Sequence, residues 1–295
     1  MTSSLAMYWI RLFCFFAALN MSAVALAEET STLFRINAQQ LQNQLSSPDL
    51  VIIDARSPAS YAQNHIPGAL NFPEPDTYAN KALNGRIISP HPMQEKMRSL
   101  GLTTEHEIIV YDNGALMAAA RVFWALEVYG FKNVKILNQG FDGWSQRGFA
   151  ISQDLPTTTA SDYIASINHN RLATKLKTQI ASHSPKQVII DARPNPAYIG
   201  EKSSAKRFGH IPTALNIPAD HNLEGTDSLK SLQPLHELEK LYADIPKDKK
   251  VVIYCAIGRI SSTNYLVLRE LGYDVSNYDA SWKEWGNDFS LPISK

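Results

Sequence analysis

Cysteine is nearly missing from this chain: among 295 residues only Cys14 and Cys255 carry a thiol. Cys14 falls in an apolar N-terminal run, so Cys255 stands alone in the body of the protein. A solitary thiol forms neither an internal disulfide nor a multi-cysteine metal centre, and both are excluded. An excess of either charge is missing too. Lys+Arg 28 against Asp+Glu 28 leaves a formal net charge of zero, so no footprint for nucleic acid or an anionic membrane is visible. Histidine is present without order: His169, His183, His210 and His221 lack ligand spacing, and no metal site is expected. The 44% apolar and 19% charged content describes a globular protein, and 295 residues suffice for two ordinary domains.

Long apolar runs are equally scarce. One follows Arg11, extends from Leu12 to Leu19, breaks at Asn20 and resumes through Ala27. Ala25-Leu-Ala27 is a small-x-small cleavage site, and Glu28-Glu-Thr-Ser-Thr32 turns polar at once. Residues 1–27 therefore read as a secretory signal peptide. The run is short and discontinuous for a membrane span, and an uncleaved anchor is the alternative. Cys14 has no lipoprotein-type context. The expectation is a periplasmic or secreted protein without stable membrane association after cleavage, its mature form keeping one thiol, Cys255.

What the chain does contain is a repetition. Val51-Ile-Ile-Asp-Ala-Arg56 returns as Val188-Ile-Ile-Asp-Ala-Arg193, and His65-Ile-Pro-Gly-Ala-Leu-Asn71 as His210-Ile-Pro-Thr-Ala-Leu-Asn216. Ile108-Ile-Val-Tyr-Asp112 returns as Val251-Val-Ile-Tyr-Cys255, and Phe141 with Trp144 as Trp282 with Trp285. Matched blocks in one order, at a period of roughly 140 residues, mean duplicated domains and not a solenoid. The expected organisation is repeat one over 33–151, a polar linker over 152–161 and repeat two over 162–295. Val/Ile-rich, non-alternating runs predict strands at Val51–Asp54, Ile108–Tyr111 and Val134–Leu137. Helices are predicted at Ala38–Leu45, Ala59–Asn64, Met93–Leu100 and Leu116–Tyr129. Such alternation implies an α/β fold, with helices flanking a parallel sheet in each repeat.

The repeats differ at one decisive position. Repeat two runs from the strand residues Val251 to Tyr254 straight into Cys255, then through a short loop with Gly258 and Arg259 into a helix carrying Leu266, Leu268 and Leu271. In a parallel sheet, ligands bind where a strand's carboxyl end meets a helix N-terminus, and the amides gathered there favour a thiolate. Repeat one has Asp112 at that place. A carboxylate cannot take up and pass on sulfur, so repeat one is expected to wall the site and repeat two to carry the nucleophile.

These blocks resemble the rhodanese (sulfurtransferase) superfamily in its tandem-domain form. The resemblance rests on the two Asp-x-Arg strand ends, the two His-Ile-Pro turns, Cys255 opening its loop and the ending Ser281-Trp-Lys-Glu-Trp285; it covers about Phe34 to Ile293. It implies two rhodanese-like domains, the first inactive with Asp112, the second catalytic with Cys255. It also implies a persulfide mechanism with ping-pong kinetics, in which Cys255 takes the outer sulfur of a donor such as thiosulfate or 3-mercaptopyruvate. The sulfur then passes to a thiophilic acceptor, cyanide or a thiol. No metal or organic cofactor is implied. The loop backbone of Ala256, Ile257, Gly258, Arg259, Ile260 and Ser261 would cradle donor and persulfide.

The loop departs from family patterns. Ala256 and Ile257 replace the two basic residues that often follow the cysteine in thiosulfate-type enzymes. Mercaptopyruvate-type enzymes usually have small residues and then Gly-Val-Thr. Cys-Ala-Ile-Gly-Arg-Ile-Ser-Ser is closest to a bacterial thiosulfate-type variant, with its arginine displaced by one position; Ala197 stands where some members have another basic residue. Arg259 is the loop cation left to meet an anionic donor, since its guanidinium suits oxyanions.

Other residues have duller readings. Asp54 with Arg56 and Asp191 with Arg193 occur in both repeats, which favours a strand-end tie; a pocket-wall role for Arg193 is the alternative. His65 and His210 read as turn residues for the same reason. His91, in Ser89-Pro-His-Pro-Met93, is specific to repeat one and is a candidate for the pocket wall. Two further classes stay open beside the enzyme: a non-enzymatic persulfide carrier, and a cysteine phosphatase of related fold. The latter needs arginine six residues after the cysteine, where this chain has Ser261.

Overall fold

The computed structural model describes residues 34–226 and 229–295; the expected signal peptide, its cleavage site and Cys14 lie outside them. Repeat one contains β1 (Arg35–Ile36), α1 (Ala38–Gln42), β2 (Leu50–Asp54), α2 (Pro58–Gln63), β3 (Leu70–Asn71), α3 (Pro90–Ser99), β4 (Glu107–Tyr111), α4 (Met117–Val128), β5 (Val134–Leu137) and α5 (Gly140–Gln146). Repeat two contains β6 (Leu172–Ala173), α6 (Lys175–Ala181), β7 (Gln187–Asp191), α7 (Asn195–Tyr198), β8 (Leu215–Asn216), β9 (Leu223–Glu224), β10 (Ser231–Leu232), α8 (Leu235–Leu241), β11 (Lys250–Tyr254), α9 (Ser261–Glu270), β12 (Val275–Tyr278) and α10 (Ser281–Trp285).

Each repeat builds one five-stranded sheet, ordered β1-β5-β4-β2-β3 and β6-β12-β11-β7-β8, and every pairing within them is parallel. Repeat two adds a small antiparallel pair, β9 with β10. The central strands β4 and β11 are buried along nearly their whole length, which is why their sequences are continuous apolar runs. The expected strands lie within the observed ones. Helix ends moved for local reasons. Helix α1 stops at Gln42, and residues 43–46 continue as turns ahead of Pro48. Helix α3 begins earlier, at Pro90, because prolines fit a first turn that needs no N–H partner. Helix α4 starts at Met117, since Leu116 is left-handed with φ 65°. The two-residue edge strands are too short to show in a sequence pattern.

The shared signatures do the same work in both repeats. Arg56 grips the Asp54 carboxylate through Nε (3.0 Å) and Nη2 (2.6 Å) and donates to Asn64 O. Arg193 grips Asp191 in the same way (2.9 and 2.6 Å) and donates to Gly209 O. Tyr111 and Tyr254 each donate their hydroxyl to that carboxylate. His65 and His210 stack on Tyr61 and Tyr198, with Nδ1 2.9 Å from the tyrosine's carbonyl oxygen. The carboxylate–arginine pair ties the end of the first long strand to the following loop, and the stacked histidine ties its turn to the helix before it.

The repeats meet along α4 and α9. Ten of the twelve α4 residues are buried, as expected of a helix apolar all round and covered on every side. Phe123 packs on Tyr265 with ring centroids 6.4 Å apart, and Glu127 accepts from Tyr265 Oη (2.6 Å) and Arg269 Nη2 (3.0 Å). Arg35 bridges to Glu270 at 2.8 Å. One hydrophobic core, containing Phe123, Trp124, Tyr265 and Leu266, thus runs through both repeats. The polar stretch 152–161 lies along repeat one: Thr158 and Ser161 donate to Ser99 O and Leu102 O. Residues 163–168 follow it, Tyr163 Oη donating to Tyr129 O and Asn168 N to Val128 O, so the chain crosses to repeat two only just before β6.

Candidate active site

Strand β11 pairs with β7 on one side and β12 on the other, which sets Cys255 at the central carboxyl end of the second sheet. Both backbone groups of Cys255 are held. Its N–H donates to Ser281 Oγ (3.1 Å), and its carbonyl accepts from Trp282 N–H (3.0 Å). Ser281 sits at φ 55°, in the left-handed region that a residue with a side chain seldom adopts. Repeat one has Gly140 there, at φ 48°, where a Cβ would lie 2.4 Å from Asp112 O.

The thiol is 1% exposed. Ala192, Ala219 and Ile260 pack on its apolar flank, and Ser261 Oγ lies 3.4 Å from Sγ on the other. Ser261 Oγ is also 2.9 Å from Asn277 Oδ1, and its one proton serves either the sulfur or the amide, not both. The Asn277 amide nitrogen donates to Gly258 O and Ser262 Oγ, each at 3.2 Å. Gly258 O receives two more donors, Arg121 Nη1 and Ser262 Oγ, both at 3.0 Å. In a trans peptide the C=O and N–H are antiparallel, so pinning this carbonyl turns the Arg259 N–H the opposite way.

After Cys255, through the first residue of helix α9, the chain leaves six amides without a protein acceptor. Among the described residues, no main-chain N–H from Ala256 to Ser261 donates to a protein acceptor. Repeat one shows what such a loop holds. There the Asp112 carboxylate accepts from the N–H of Gly114 (2.8 Å) and Leu116 (3.1 Å) on Oδ1, and of Ala118 (3.0 Å) and Ala119 (3.2 Å) on Oδ2. The loop of the first repeat is an anion cradle filled by its own side chain. In the second repeat the cysteine leaves the equivalent amides open.

Repeat one also supplies a wall. Arg121, fully buried in α4, donates to Gly258 O, to Gly85 O (2.9 Å) and to Thr77 Oγ1 (3.1 Å). Its guanidinium lies 4.2 Å from the Tyr78 ring centre. Burial, then Glu74, with the charge of Cys255 adding to them, push the Tyr78 phenol well above its ordinary range against the pull of Arg121. Tyr78 donates to Glu74 Oε1 (2.5 Å), and Lys81 Nζ donates to Oε2 (2.8 Å). Burial works to raise the Glu74 carboxyl, yet Lys81, Tyr78 and Arg259 outweigh it and hold the group below the usual carboxylate range. Gly85 approaches the loop so closely that a Cβ would sit 1.7 Å from Ile257 O. Asp279 accepts from Ile87 N–H (2.6 Å) and Ala280 N–H (2.7 Å), and burial raises its carboxyl above the ordinary range despite Arg121.

The structure thus brings Cys255, Ala256, Ile257, Gly258, Arg259, Ile260 and Ser261 together. Ala256, Ile257, Arg259 and Ile260 are half-buried over the closed thiol. Arg259 Nε lies 3.4 Å from Glu74 Oε1 at an angle that makes no hydrogen bond. Two candidates stand elsewhere. His91, the second residue of α3, is exposed and makes no hydrogen bond among the described residues; Glu74, Tyr78 and Lys81 form the polar wall instead. Arg193 is buried and spent on Asp191 and Gly209, its guanidinium 4.5 Å from the Trp282 ring centre. Glu74, Tyr78, Arg121, Asn277 and Asp279 did not emerge from motifs, and Ser281 appeared only as the first residue of a matched ending. Some signal existed: Arg121 is a lone cation in an apolar helix, and Ser281 replaces a glycine of the other repeat.

Comparison with known proteins bears on the family and the fold. A family profile described as Rhodanese-like domain matches residues 37–147 and 172–288. A 3-mercaptopyruvate sulfurtransferase of Escherichia coli (strain K12) is 30% identical over 282 residues, covering 89% of this chain and 98% of its own length. A thiosulfate sulfurtransferase of Azotobacter vinelandii is 32% identical over 266 residues, covering 88% and 96%. A crystal structure from Escherichia coli, described as a 3-mercaptopyruvate sulfotransferase with the rhodanese fold, superposes with a TM-score of 0.75 at 28% identity; 85% of this chain and 99% of that one are covered. Two matched domains, one fold and relatives aligned over nearly their whole length lead to one conclusion: the chain belongs to the rhodanese family in its tandem-domain form and is a sulfurtransferase.

Proposed function

We propose that this protein moves a sulfane sulfur from thiosulfate to a thiophilic acceptor through a persulfide on Cys255. The Cys255 thiolate attacks the outer sulfur of thiosulfate, a new S–S bond forms, and the old one breaks with its electron pair leaving on sulfite. The persulfide then gives its outer sulfur to cyanide or a thiolate, and Cys255 returns as thiolate. The six unpaired amides from Ala256 to Ser261 carry this reading. They are donors without acceptors where negative charge passes from donor to persulfide, and their position is fixed beforehand by Arg121, Asn277 and Ser281.

A second reading, 3-mercaptopyruvate as donor, draws on the small and apolar Ala256 and Ile257 after the cysteine and on the Escherichia coli relative. A third, persulfide carriage without free turnover, draws on the near-complete burial of the thiol. Thiocyanate formation from thiosulfate and cyanide, repeated with 3-mercaptopyruvate, separates them. Thiosulfate is expected to be the better donor, and Cys255→Ala to abolish turnover. Turnover that survives the substitution refutes the nucleophile. A sulfur adduct on Cys255 by mass spectrometry, without thiocyanate, selects the carrier.

Export belongs to the same proposal. The expected outcome is a mature chain beginning at Glu28, found outside the cytoplasm; an intact N-terminus on protein from the native host overturns it.

A further inference from the structure

Arg259 is the loop's cation for an anionic donor, and a carboxylate from the other repeat already faces it. Glu74 is 5% exposed and its two oxygens are satisfied without Arg259: Tyr78 Oη donates to one and Lys81 Nζ to the other. Arg259 is not satisfied by Glu74 in return. Its Nε is buried, 3.4 Å from Glu74 Oε1, and has no hydrogen-bond acceptor, while the side chain as a whole is 39% exposed. A purely structural ion pair would close that bond. Here a buried donor is left waiting for an acceptor that the protein does not supply, beside six amides that also lack a protein acceptor.

We propose that Glu74 sets how much negative charge the site accepts from a donor: its fixed charge offsets that of Arg259 at the site and thereby selects against dianions relative to monoanions. The inference rests on the sulfurtransferase reading of Cys255 and deepens it. Coulomb energy scales with the product of the charges, so a fixed negative charge costs a dianion twice the free energy that it costs a monoanion. In binding constants, the factor for the dianion is then the square of the factor for the monoanion. Thiosulfate is a dianion; 3-mercaptopyruvate with its thiol protonated is a monoanion. The same charge that weakens donor binding helps the dianionic product sulfite to leave, so Glu74 balances capture against release. Lys81 moderates the effect by sharing the carboxylate.

The experiment compares Glu74→Gln with the unmodified protein on both donors. The variant keeps an acceptor for Tyr78 and removes the charge. Its KM for thiosulfate is expected to fall about tenfold and that for 3-mercaptopyruvate about threefold, the square-root relation. Lys81→Met leaves Glu74 uncompensated and should move both values upward, thiosulfate more; it serves if Glu74→Gln does not fold. In an Arg259→Met background thiosulfate should bind more weakly, yet Glu74→Gln should still help thiosulfate more than 3-mercaptopyruvate, because the Coulomb energies of fixed charges add. Equal factors for the two donors, in either background, overturn the proposal. Calorimetry of thiosulfate binding to Cys255→Ala, with and without Glu74→Gln, gives the same comparison without turnover. If binding tightens as expected while the active protein transfers no sulfur, the functional proposal fails and this one stands. If sulfur is transferred while Glu74→Gln leaves thiosulfate binding unchanged, the charge-selection proposal fails and the functional one stands.

Discussion

Asp112 and Cys255 occupy the same station in two copies of one fold, and the carboxylate of the first closes the cradle that the sulfur of the second leaves open. Asp112 receives four main-chain N–H groups from its own loop. Cys255 receives none of the six that follow it. The chain therefore contains both the filled and the unfilled form of one anion site.

Emptying the filled one has a defined consequence. Asp112→Ala leaves four amides without their acceptor, three of them at buried residues, and should cost about 3 kcal/mol of stability. Urea unfolding measures it. Sulfate should restore part of the loss in the variant by entering the vacated cradle and do little for the unmodified protein; equal effects on both would show that the loop collapses instead of remaining a cradle.

Ser281 combines a strained backbone with a needed hydroxyl. Ser281→Ala keeps φ near 55° and orphans the buried Cys255 N–H, and should cost about 1–3 kcal/mol. Ser281→Gly orphans the same N–H but removes the left-handed strain, returning about 1 kcal/mol. Thermal unfolding should rank serine above glycine above alanine.

Arg121 spans the two repeats with three hydrogen bonds, one of them to the loop carbonyl of Gly258. A lysine ammonium cannot reproduce that planar fork. Arg121→Lys should lower kcat/KM by about 100-fold through a displaced loop. Cyanide assays at saturating and limiting donor would detect this, and a variant that loses stability at unchanged kcat/KM would assign Arg121 to the interface alone.

Asp279 gives a pH signature. Its folded pKa is raised, chiefly by burial, so the stability it contributes is present in acid and lost as pH rises through that raised value. Asp279→Asn does not titrate. The melting temperature of the unmodified protein relative to the variant should therefore fall as pH rises above the ordinary carboxylate range, the opposite slope to that of a salt-bridged surface carboxylate. A difference independent of pH would exclude Asp279 as the source.

Much of the molecule is local chemistry and is legible without coordinates. Buried parallel strands must be apolar on both faces, so β2, β4, β7 and β11 announce themselves as Val/Ile runs. Duplication announces itself because the same ties recur: Asp54 with Arg56, Asp191 with Arg193, and the stacked histidines. A lone cysteine at the end of such a strand, followed by a loop and a helix, marks the place where chemistry is expected.

Only the tertiary structure decided what faces that cysteine. Arg121 lies 137 residues from Gly258, and Glu74 still further from Arg259, with no periodicity to link them. Such pairs exist because α4 packs on α9 and carries the first repeat's loops over the second repeat's sheet. The sequence on its own determined two like domains and where the thiol stands. Packing decided the charge around it, because charge at a site depends on distance through space, and folding sets that distance independently of separation along the chain.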